Sequence, residues 1–441
     1  MSFGMQLLRF LAFAPTETRQ YLLGAGGQNF GECGLGNKWY YNYGNPYVQQ
    51  MPAVYEFTPP DHIDVNTAIT DPDEWKLAFG AYQHVIAIKN DGTLWATGDN
   101  TFGQIGTGVA GGVQRYFAQV LVPDGNNIGW LLGGGGTEHS AALRSDGTVW
   151  CWGRNDISSA CGNGAKTPAN IVIPHNVHTT DSDHRCFDLA TRFIDLRVGH
   201  RFNIGMDENR NLWSWGNNGS RQLGRDFIYL PTEEQPNFTQ DTYIRRTPSI
   251  DPRGNGRSSA SPCTEDAAYI VPGPWAEFSA GAYHAGAIHQ DGMLWMWGLN
   301  GNNQCGDGAS SQLPRQIASP RPGVKWSRIF CGEYSTAAIL EDGSLWLWGK
   351  NDSGQLGLGD TLQRAAPTQQ PGSWKFCQTG LKSGCGIKTD GTFWVWGSNQ
   401  NGLIGLGSSV AQALNPTQIG ADTTWTQAYP MNLSTLALKK V

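Results

Sequence analysis

The sequence is poor in charged residues and has no large basic region. Asp, Glu, Lys and Arg make up 15% of its 441 residues, and the net charge is −6; about 25% charged residues is usual in soluble proteins. Nucleic-acid binding requires a clustered positive surface. Segment 245–257 holds four arginines, but it is rich in Pro, Gly and Ser, and we interpret it as a solvated loop. We therefore predict no nucleic-acid partner.

Signals for membrane insertion and secretion are also lacking. No apolar stretch approaches the roughly 20 residues that a membrane-spanning helix needs. The mildly apolar N-terminus is interrupted by Arg9, whereas a signal peptide has an unbroken apolar core of about 7–15 residues. Repeat sequence begins at Tyr21. We expect neither membrane insertion nor a cleaved signal.

Motifs for catalysis and metal binding are missing as well. The sequence has no Walker loop, nucleophile elbow or H-E-x-x-H motif. Its nine cysteines include no C-x-x-C pair, and we interpret most of them as small buried apolar side chains. One polar segment concentrates possible zinc ligands, namely His175, His178, Asp181, Asp183, His184 and Cys186. Their spacing matches no zinc signature, so we predict no enzyme activity, no cofactor and no metal.

Tryptophan and glycine, in contrast, are abundant and follow a strict repeat. Of the 18 tryptophans, only Trp39 lies outside it. Each repeat opens on an aromatic residue, sixteen positions before a turn that is Asp-Gly in all repeats but one. The opening residues are Trp75, Trp130, Phe193, Trp275, Trp326 and Trp374, and the turns begin at Asp91, Asp146, Asn209, Asp291, Asp342 and Asp390. Such internal periodicity predicts a repeat architecture.

The pattern within a repeat predicts a β-hairpin that packs on its neighbours. Asp-Gly between two apolar runs favours a tight turn, for which we expect type I′. The aspartates are then turn formers and not acid–base groups. The return strand carries tryptophans two positions apart, such as Trp346 and Trp348, and residues at that spacing share one face of a strand. We expect these rings to fill the gap between adjacent blades.

The position nine residues after each opening residue is polar in all repeats but one. It holds His84, His139, Phe202, His284, Ser335, Ser383 and Ser434. Different residue types at one place favour a structural role over catalysis. We expect these side chains to hydrogen-bond the backbone of a neighbouring segment.

The two ends of the chain each carry half a repeat. Segment 21–36 matches the second half, with Gly26 and Gly34 at the usual step, and 425–441 matches the first half. Six whole repeats lie between them, starting near 75, 130, 193, 275, 326 and 374. If the halves pair, they complete a seventh blade and leave no long exposed sheet edge. We predict an all-β chain that forms one domain over 1–441, a seven-bladed β-propeller closed by its own half-repeats.

The G-x-x-H/S turn, the D-G-x-[LV]-W-x-W-G strand and the G-Q-L-G-x-G turn together resemble regulator-of-chromosome-condensation repeats. The resemblance covers 21–36 and 75–441, and it implies the same propeller fold. Members of that family include a guanine-nucleotide exchange factor for a small GTPase, ubiquitin-ligase accessory propellers, a β-lactamase-inhibiting propeller and repeat proteins of phages and bacteria. We expect this chain to be a phage or bacterial member. Fold alone does not determine its function.

Function is expected to lie in segments added to the repeat. The spacing places inserted loops at 37–74, 156–192 and 225–274, all in one half of the ring. Loops on a rigid scaffold commonly carry binding sites, and Tyr, Trp and Arg are common anchors of protein interfaces. The candidate partner-binding residues are Trp39, Tyr40, Tyr41, Tyr43, Tyr47, Phe227, Tyr229, Phe238, Tyr243, Arg245 and Arg246.

These observations predict a non-catalytic, protein-binding or structural propeller within a larger assembly. A phage virion fits the low charge and the amide-rich composition, with a decoration, tail or receptor-binding role. The partner is then another subunit of the assembly or a host-surface molecule. Two alternatives remain at this stage. One is a cytoplasmic exchange factor for a small GTPase, and the other is a propeller that inhibits an enzyme.

Overall fold

The computed structural model describes residues 20–26, 75–155, 160–161, 170–177, 191–224, 240–247, 273–308, 314–407, 409–432 and 434–440. Over these ranges the chain is all-β, apart from one turn of 3-10 helix at Gln400–Gly402. No helix in them is long and apolar enough to cross a membrane.

The strands form antiparallel blades, and each blade begins at the opening residue of a repeat. Blade 1 consists of β2 (Trp75–Gly80), β3 (His84–Lys89), β4 (Leu94–Asp99) and β5 (Val113–Gln119), and blade 2 of β6 (Trp130–Gly135), β7 (His139–Arg144), β8 (Val149–Gly153) and β9 (Ile171–Asn176). Blade 3 consists of β10 (Phe193–Val198), β11 (Phe202–Asp207), β12 (Leu212–Asn217) and β13 (Gln240–Thr247), and blade 4 of β14 (Trp275–Ala280), β15 (His284–His289), β16 (Leu294–Gly298) and β17 (Arg315–Ile317).

Blades 5 and 6 share one long strand. Blade 5 consists of β18 (Trp326–Cys331), β19 (Ser335–Leu340), β20 (Ser344–Gly349) and the first part of β21 (Arg364–Thr379). Blade 6 consists of the second part of β21 with β22 (Ser383–Lys388), β23 (Phe393–Ser398) and β24 (Gln412–Ile419). The two blades therefore form one continuous sheet.

Blade 7 is made from both ends of the chain. It consists of β25 (Trp425–Pro430), β26 (Ser434–Lys440) and β1 (Gln20–Gly26). β1 pairs with β26 in unbroken antiparallel register, from Gln20 opposite Lys440 to Gly26 opposite Ser434. The predicted closure by the two half-repeats is confirmed.

The core is divided among the seven interfaces between neighbouring blades. A cluster of buried apolar side chains spans each interface, including the one between blades 7 and 1. At that interface, Met431, Leu436 and Leu438 pack with Trp75 and Val85. The ring is thus closed by packing all the way round as well as by the β1–β26 pairing.

The second tryptophan of each pair fills an interface, as the spacing predicted. These rings are fully buried, and in four of them the indole N–H donates to a backbone carbonyl of the preceding blade. The bonds run from Trp152 to Gln104, Trp297 to Gln222, Trp348 to Gln304 and Trp396 to Gln355, at 2.8 to 3.0 Å. Each of these bonds links the side chain of one blade to the turn of another.

The histidines at the polar position are structural: His84 and His139 hydrogen-bond the backbone of the next blade, as predicted, and they also reach a side chain there. His84 Nε2 lies 2.9 Å from Ser140 Oγ of the next blade, and Ser140 Oγ donates to the Gln104 carbonyl at 2.8 Å. Because the serine proton is used there, the histidine must donate through Nε2–H. His284 makes the same relay through Thr336 to the Gln304 carbonyl, at 2.8 and 2.7 Å.

A third relay links blades 2 and 3. His139 Nε2 lies 3.2 Å from Asn203 Oδ1, and Asn203 Nδ2 donates to the Ala160 carbonyl at 2.6 Å. In all three relays the histidine reaches a side chain of the next blade, which places a hydroxyl or amide between the imidazole and the carbonyl. Burial lowers the pKa of His84 and His284 to about 3, and that of His139 to about 4.

The Asp-Gly turns are hairpin turns, but they are not of type I′. Gly92 has a positive φ of 82°, whereas the φ of Asp91 is not positive. The Gly92 N–H donates to the Lys89 carbonyl at 2.9 Å. This is a type I turn followed by a glycine in the left-handed region. Asp91 accepts from the backbone N–H of Thr93 at 2.9 Å, so its predicted role as a turn former is confirmed.

Two of the predicted inserted loops contain regular structure. β9 lies within 156–192 and β13 within 225–274, and each pairs with the third strand of its blade. They are the outer strands of blades 2 and 3. The repeat spacing did not reveal them because the outer strands begin at no fixed distance from the tryptophan pair.

The cysteines in the described ranges are buried and unpaired, as expected for small apolar side chains. They are Cys151, Cys161, Cys305, Cys331, Cys377 and Cys385. Burial raises the pKa of the Cys151 and Cys331 thiols to about 12, so neither is a reactive thiolate at neutral pH.

Candidate binding site on the ring axis

The first strand of every blade lies next to the axis of the ring. Each first strand contacts the first strand of the next blade, and the circle closes between β25 and β2. Each first strand is joined to the second by a short turn, which we call the axial turn. The seven axial turns leave the sheet at the same end of the ring.

A repeated backbone hydrogen bond shapes the axial turns. The N–H that follows the first strand donates to the carbonyl of the polar position, for example from Gly281 to His284 at 2.9 Å and from Gly332 to Ser335 at 2.8 Å. Neighbouring turns approach closely, since a Cβ at position 281 would lie 2.3 Å from the Gly332 carbonyl oxygen. Glycine at this position lets the turns converge, and the side chains that follow it point toward the axis end.

Aromatic side chains from these turns meet at that end. The ring centroids of Tyr82 and His200 lie 5.3 Å apart, those of His200 and Tyr283 5.2 Å, and those of Tyr283 and Tyr334 5.8 Å. The first two contacts are edge-to-face and the third is stacked, which are the arrangements aromatic pairs prefer. All four side chains are half-buried. We call this group, together with Glu333, the axial cluster.

The axial cluster spans the axis and does not follow the rim. Tyr82 belongs to blade 1 and His200 to blade 3, so their contact skips a blade. The Glu333 carboxylate of blade 5 raises the pKa of Tyr82, after the larger effect of burial. Side chains of blades 1, 3, 4 and 5 therefore converge on one small surface.

Glu333 is the unusual charge in this cluster. Burial raises the pKa of its carboxyl group to about 7, and Lys350 opposes the shift. Burial also raises the pKa of Tyr334 to about 12, with further contributions from Tyr283 and Glu333. A half-buried carboxylate among phenol rings is poorly solvated, so its charged form gains from any added cation.

Several charges on the axial turns and next to them are paired. Glu138 accepts from Arg154 at 2.8 Å and from Arg201 at 2.9 Å. Lys350 lies 3.1 Å from Asp352. Burial lowers the pKa of His200 to about 4, so this imidazole is neutral at physiological pH and acts as an aromatic ring.

Deeper along the axis, charged groups line the inner strands in pairs. Arg328 Nε lies 2.9 Å from Glu277, and Arg197 pairs with Asp195. Burial raises the pKa of Tyr429 to about 12, an effect that Arg197 opposes. Tyr429 belongs to blade 7 and Arg197 to blade 3, so this interaction also crosses the axis. These deeper charges form ion pairs, whereas the Glu333 carboxylate at the axis end has no ion-pair partner among the described residues.

Three of the sequence-predicted site residues lie within the described ranges, on a strand and not in this cluster. Tyr243, Arg245 and Arg246 lie on the outer strand β13, where Arg246 is opposite Trp213 of β12. The predicted inserted loop is wrong at these three positions, because they belong to a paired strand. The other eight candidates, from Trp39 to Phe238, lie outside the described residues.

The possible zinc segment is only partly within the described ranges. His175 lies on β9, and burial lowers its pKa; the remaining residues, from His178 to Cys186, lie outside them. Among the described residues, no three His, Cys, Asp or Glu side chains group as metal ligands would.

Sequence reasoning missed the axial cluster. Its residues occupy the two positions just before the polar position of each repeat, where Tyr82, Tyr283 and Tyr334 recur within a stretch that otherwise reads as a turn. Aligning the repeats at this point shows the tyrosines. Their contacts across skipped blades, however, depend on the closed ring and have no counterpart in linear spacing.

These blades, the inter-blade tryptophans and the terminal closure define a β-propeller of the tryptophan-repeat type. Its repeats match two models described as regulator of chromosome condensation (RCC1) repeat, one over 291–339 and 342–378, the other over 76–104, 134–157, 275–304 and 326–355. Over these residues the chain carries RCC1 repeats.

Similar proteins come from several eukaryotes. The chain is 25% identical to an X-linked retinitis pigmentosa GTPase regulator homolog of Caenorhabditis elegans, over 64% of this chain and 24% of that protein. It is 24% identical to a mitochondrial RCC1 domain-containing protein of Arabidopsis thaliana, over 62% of this chain and 54% of that protein. The chain thus spans between a quarter and about half the length of these relatives.

Solved structures show the same fold. Prp20p from Saccharomyces cerevisiae is 18% identical with a TM-score of 0.72, covering all of this chain and 96% of that one. At this identity the likeness concerns the fold alone. Function must be argued from the residues of this chain.

Proposed function

We propose that this chain is a non-catalytic propeller that binds another protein and serves as a component of a larger assembly, such as a phage virion. The observation that carries the proposal is the unequal distribution of sequence outside the strands. In blade 5, β20 and β21 are joined by 350–363, and β22 follows almost at once. In blade 3, β12 and β13 are joined by 218–239, and 248–274 follow before blade 4 begins.

The added sequence has the residues of an interface. Phe227, Tyr229 and Phe238 precede β13, and aromatic side chains supply much of the binding energy of protein interfaces. Segment 37–74 carries Trp39 and four tyrosines near its start. The low charge and the amide-rich composition support a role as one subunit among others.

RCC1-repeat relatives also point to protein partners. The yeast protein Prp20p is described by its binding properties to Gsp1p and histones. This supports protein binding as the class of function. The partner proposed here follows from the composition and segments of this chain.

A graft between blades tests the proposal. Replacing 225–239 with 358–363, which makes the same connection in blade 5, keeps β13 and removes the aromatic residues. We expect a ring that melts within a few degrees of the original and no longer co-purifies with its assembly. The matched control shortens 249–271 in the same blade and is expected to assemble normally.

The result that would overturn the proposal is normal assembly of the graft, combined with normal assembly after Trp39 and the tyrosines of 37–74 are replaced by Ser. In that case the added segments do not bind the partner. Loss of assembly in the 249–271 control as well would show that the length of the blade 3 segments, and not their aromatic residues, matters.

A second candidate function is nucleotide exchange on a small GTPase. It is favoured by the relative described as a GTPase regulator homolog. The test is release of a fluorescent guanine nucleotide from small GTPases of the source organism. If catalytic amounts of the chain accelerate nucleotide release, the chain is an exchange factor and the non-catalytic proposal is wrong. If the chain binds a GTPase without accelerating release, the non-catalytic proposal is supported.

A further inference from the structure

Cations of this chain already occupy many of its aromatic faces. Lys388 Nζ lies 3.6 Å from the ring centroid of Trp394, Lys89 Nζ lies 4.2 Å from that of Trp95, and the Arg154 guanidinium lies 4.6 Å from that of Phe102. A cation within about 6 Å of an aromatic face is attracted to it. These pairs show how lysine and arginine side chains of this chain pack on its own aromatic rings.

The axial cluster lacks such an internal cation at two of its rings. Within the described part of the chain, no Lys or Arg lies over Tyr82 or Tyr283. Tyr334 has Lys350 at 5.4 Å, but that ammonium is paired with Asp352. Tyr82 and Tyr283 are each partly exposed at the end of the axis, where Tyr283 keeps one face against Tyr334.

The carboxylate among these rings also has no direct partner. In the described ranges, no hydrogen bond or ion pair reaches the Glu333 side chain, and Lys350 acts on it only at a distance. The charged and titratable groups that face it are Lys350, Tyr82, Tyr334 and, through Tyr334, Tyr283. Partial burial costs this carboxylate its hydration without supplying a counter-charge.

We propose that Tyr82, Tyr283, Glu333 and Tyr334 form a receptor for one cationic side chain, an arginine or lysine that a protein partner inserts at the end of the ring axis. The phenol faces attract the cation and stack on its planar or aliphatic part. The carboxylate supplies the opposite charge in a partly desolvated setting, where charge-assisted hydrogen bonds are strong. This inference rests on the proposed protein-binding function and specifies one contact of it.

The occupant is a side chain of a protein because of where the cluster lies. Short turns of four blades build it at the outer end of the axis, and each of its side chains remains partly exposed. Deeper along the axis, Arg197 and Arg328 are paired with Asp195 and Glu277. A single extended side chain, anchored by its own backbone outside the ring, fits this geometry.

The electrostatics give the receptor a pH dependence. A cation favours the charged carboxylate, whereas the free carboxyl group takes up a proton near pH 7. Binding is therefore strongest above pH 7 and weakens by up to tenfold for each pH unit below it. Arginine and lysine stay charged over this range, so the dependence belongs to Glu333.

The test titrates the full chain with the tripeptide Gly-Arg-Gly, with blocked ends, and with its citrulline counterpart, which has the same shape without the charge. Binding is followed by tyrosine NMR signals at pH 8 and pH 6. We expect Gly-Arg-Gly to bind, the citrulline peptide to bind at least tenfold more weakly, and Glu333→Gln and Tyr283→Leu to lose at least tenfold in affinity. Glu341→Gln, which removes an exposed carboxylate at the opposite end of blade 5, is expected to bind normally.

Equal binding of the arginine and citrulline peptides, or unchanged binding by Glu333→Gln at an unchanged melting temperature, would overturn the inference. If free guanidinium binds as tightly as the tripeptide, the occupant is a small cation and not a protein side chain. The titration needs no assembly, and the blade 3 graft does not touch Glu333, so this inference and the proposed function can fail separately.

Discussion

Removing residues 425–441 is expected to unfold the ring at or near room temperature. The truncation deletes β25 and β26, and β26 is the strand that pairs with β1. It removes Trp425, Met431, Leu436 and Leu438, which are 2–4% exposed or fully buried. At about 1.5–3 kcal/mol for each large buried side chain, the loss is on the order of 6–12 kcal/mol, comparable with the whole stability of many proteins.

Thermal unfolding followed by tryptophan fluorescence measures this effect. Two variants serve as comparison. Deletion of 20–26 should be less damaging, since β26 keeps its pairing with β25 and loses only the partner on its other edge, whereas Leu438→Ala keeps both pairings and should cost about 2–5 kcal/mol. A truncated chain that melts with the full-length protein would show that the closing blade contributes nothing to the stability of the ring.

Acidification from pH 7 to pH 5 is expected to cost about 6 kcal/mol through His84, His139 and His284. Each is buried and neutral, with a folded pKa of about 3 or 4 against about 6.5 when unfolded. Between these values the unfolded chain binds protons that the folded ring cannot, so stability is complete above pH 6.5 and falls as the pH is lowered. The loss is about 1.4 kcal/mol per pH unit for each histidine.

Glu333 acts in the opposite direction, since its folded pKa is raised to about 7 and its unfavourable charge is lost on acidification. Its partial exposure keeps this offset smaller than the histidine effect. The matched variant is His284→Phe, because Phe202 holds the same position in blade 3. Its melting temperature should fall less between pH 7 and pH 5 than that of the original chain. An identical fall in both would show that the relays do not cause the acid sensitivity.

The sequence predicted most of the fold because the repeat is dictated by packing. Trp348 and Trp396 must fill equivalent gaps, and the Asp-Gly turns must reverse equivalent hairpins, so the same residues return at fixed spacing. The half-repeats then implied the closure that β1 and β26 form. Outer strands such as β13 were missed, since they begin at no fixed distance from the tryptophan pair.

The candidate site could not be predicted in the same way. The loop residues were chosen from their aromatic content, and three of them lie on β13 instead of in a loop. The axial cluster arises from turns that are far apart in sequence. Tyr82 and Glu333 interact only because a closed ring brings blades 1 and 5 to a common axis.

The closing blade also imposes an order on biosynthesis. β1 is synthesised before blades 1 to 6, and the strand that pairs with it, β26, is synthesised after them. At about 5–20 residues per second, roughly 20–80 seconds separate the synthesis of the two strands. The six blades between them can pack on one another as they emerge, but the faces of blades 1 and 6 that flank the gap stay exposed to water until β26 is made. Completion of the ring is therefore timed by the synthesis of β26 and not by the folding rate of any blade.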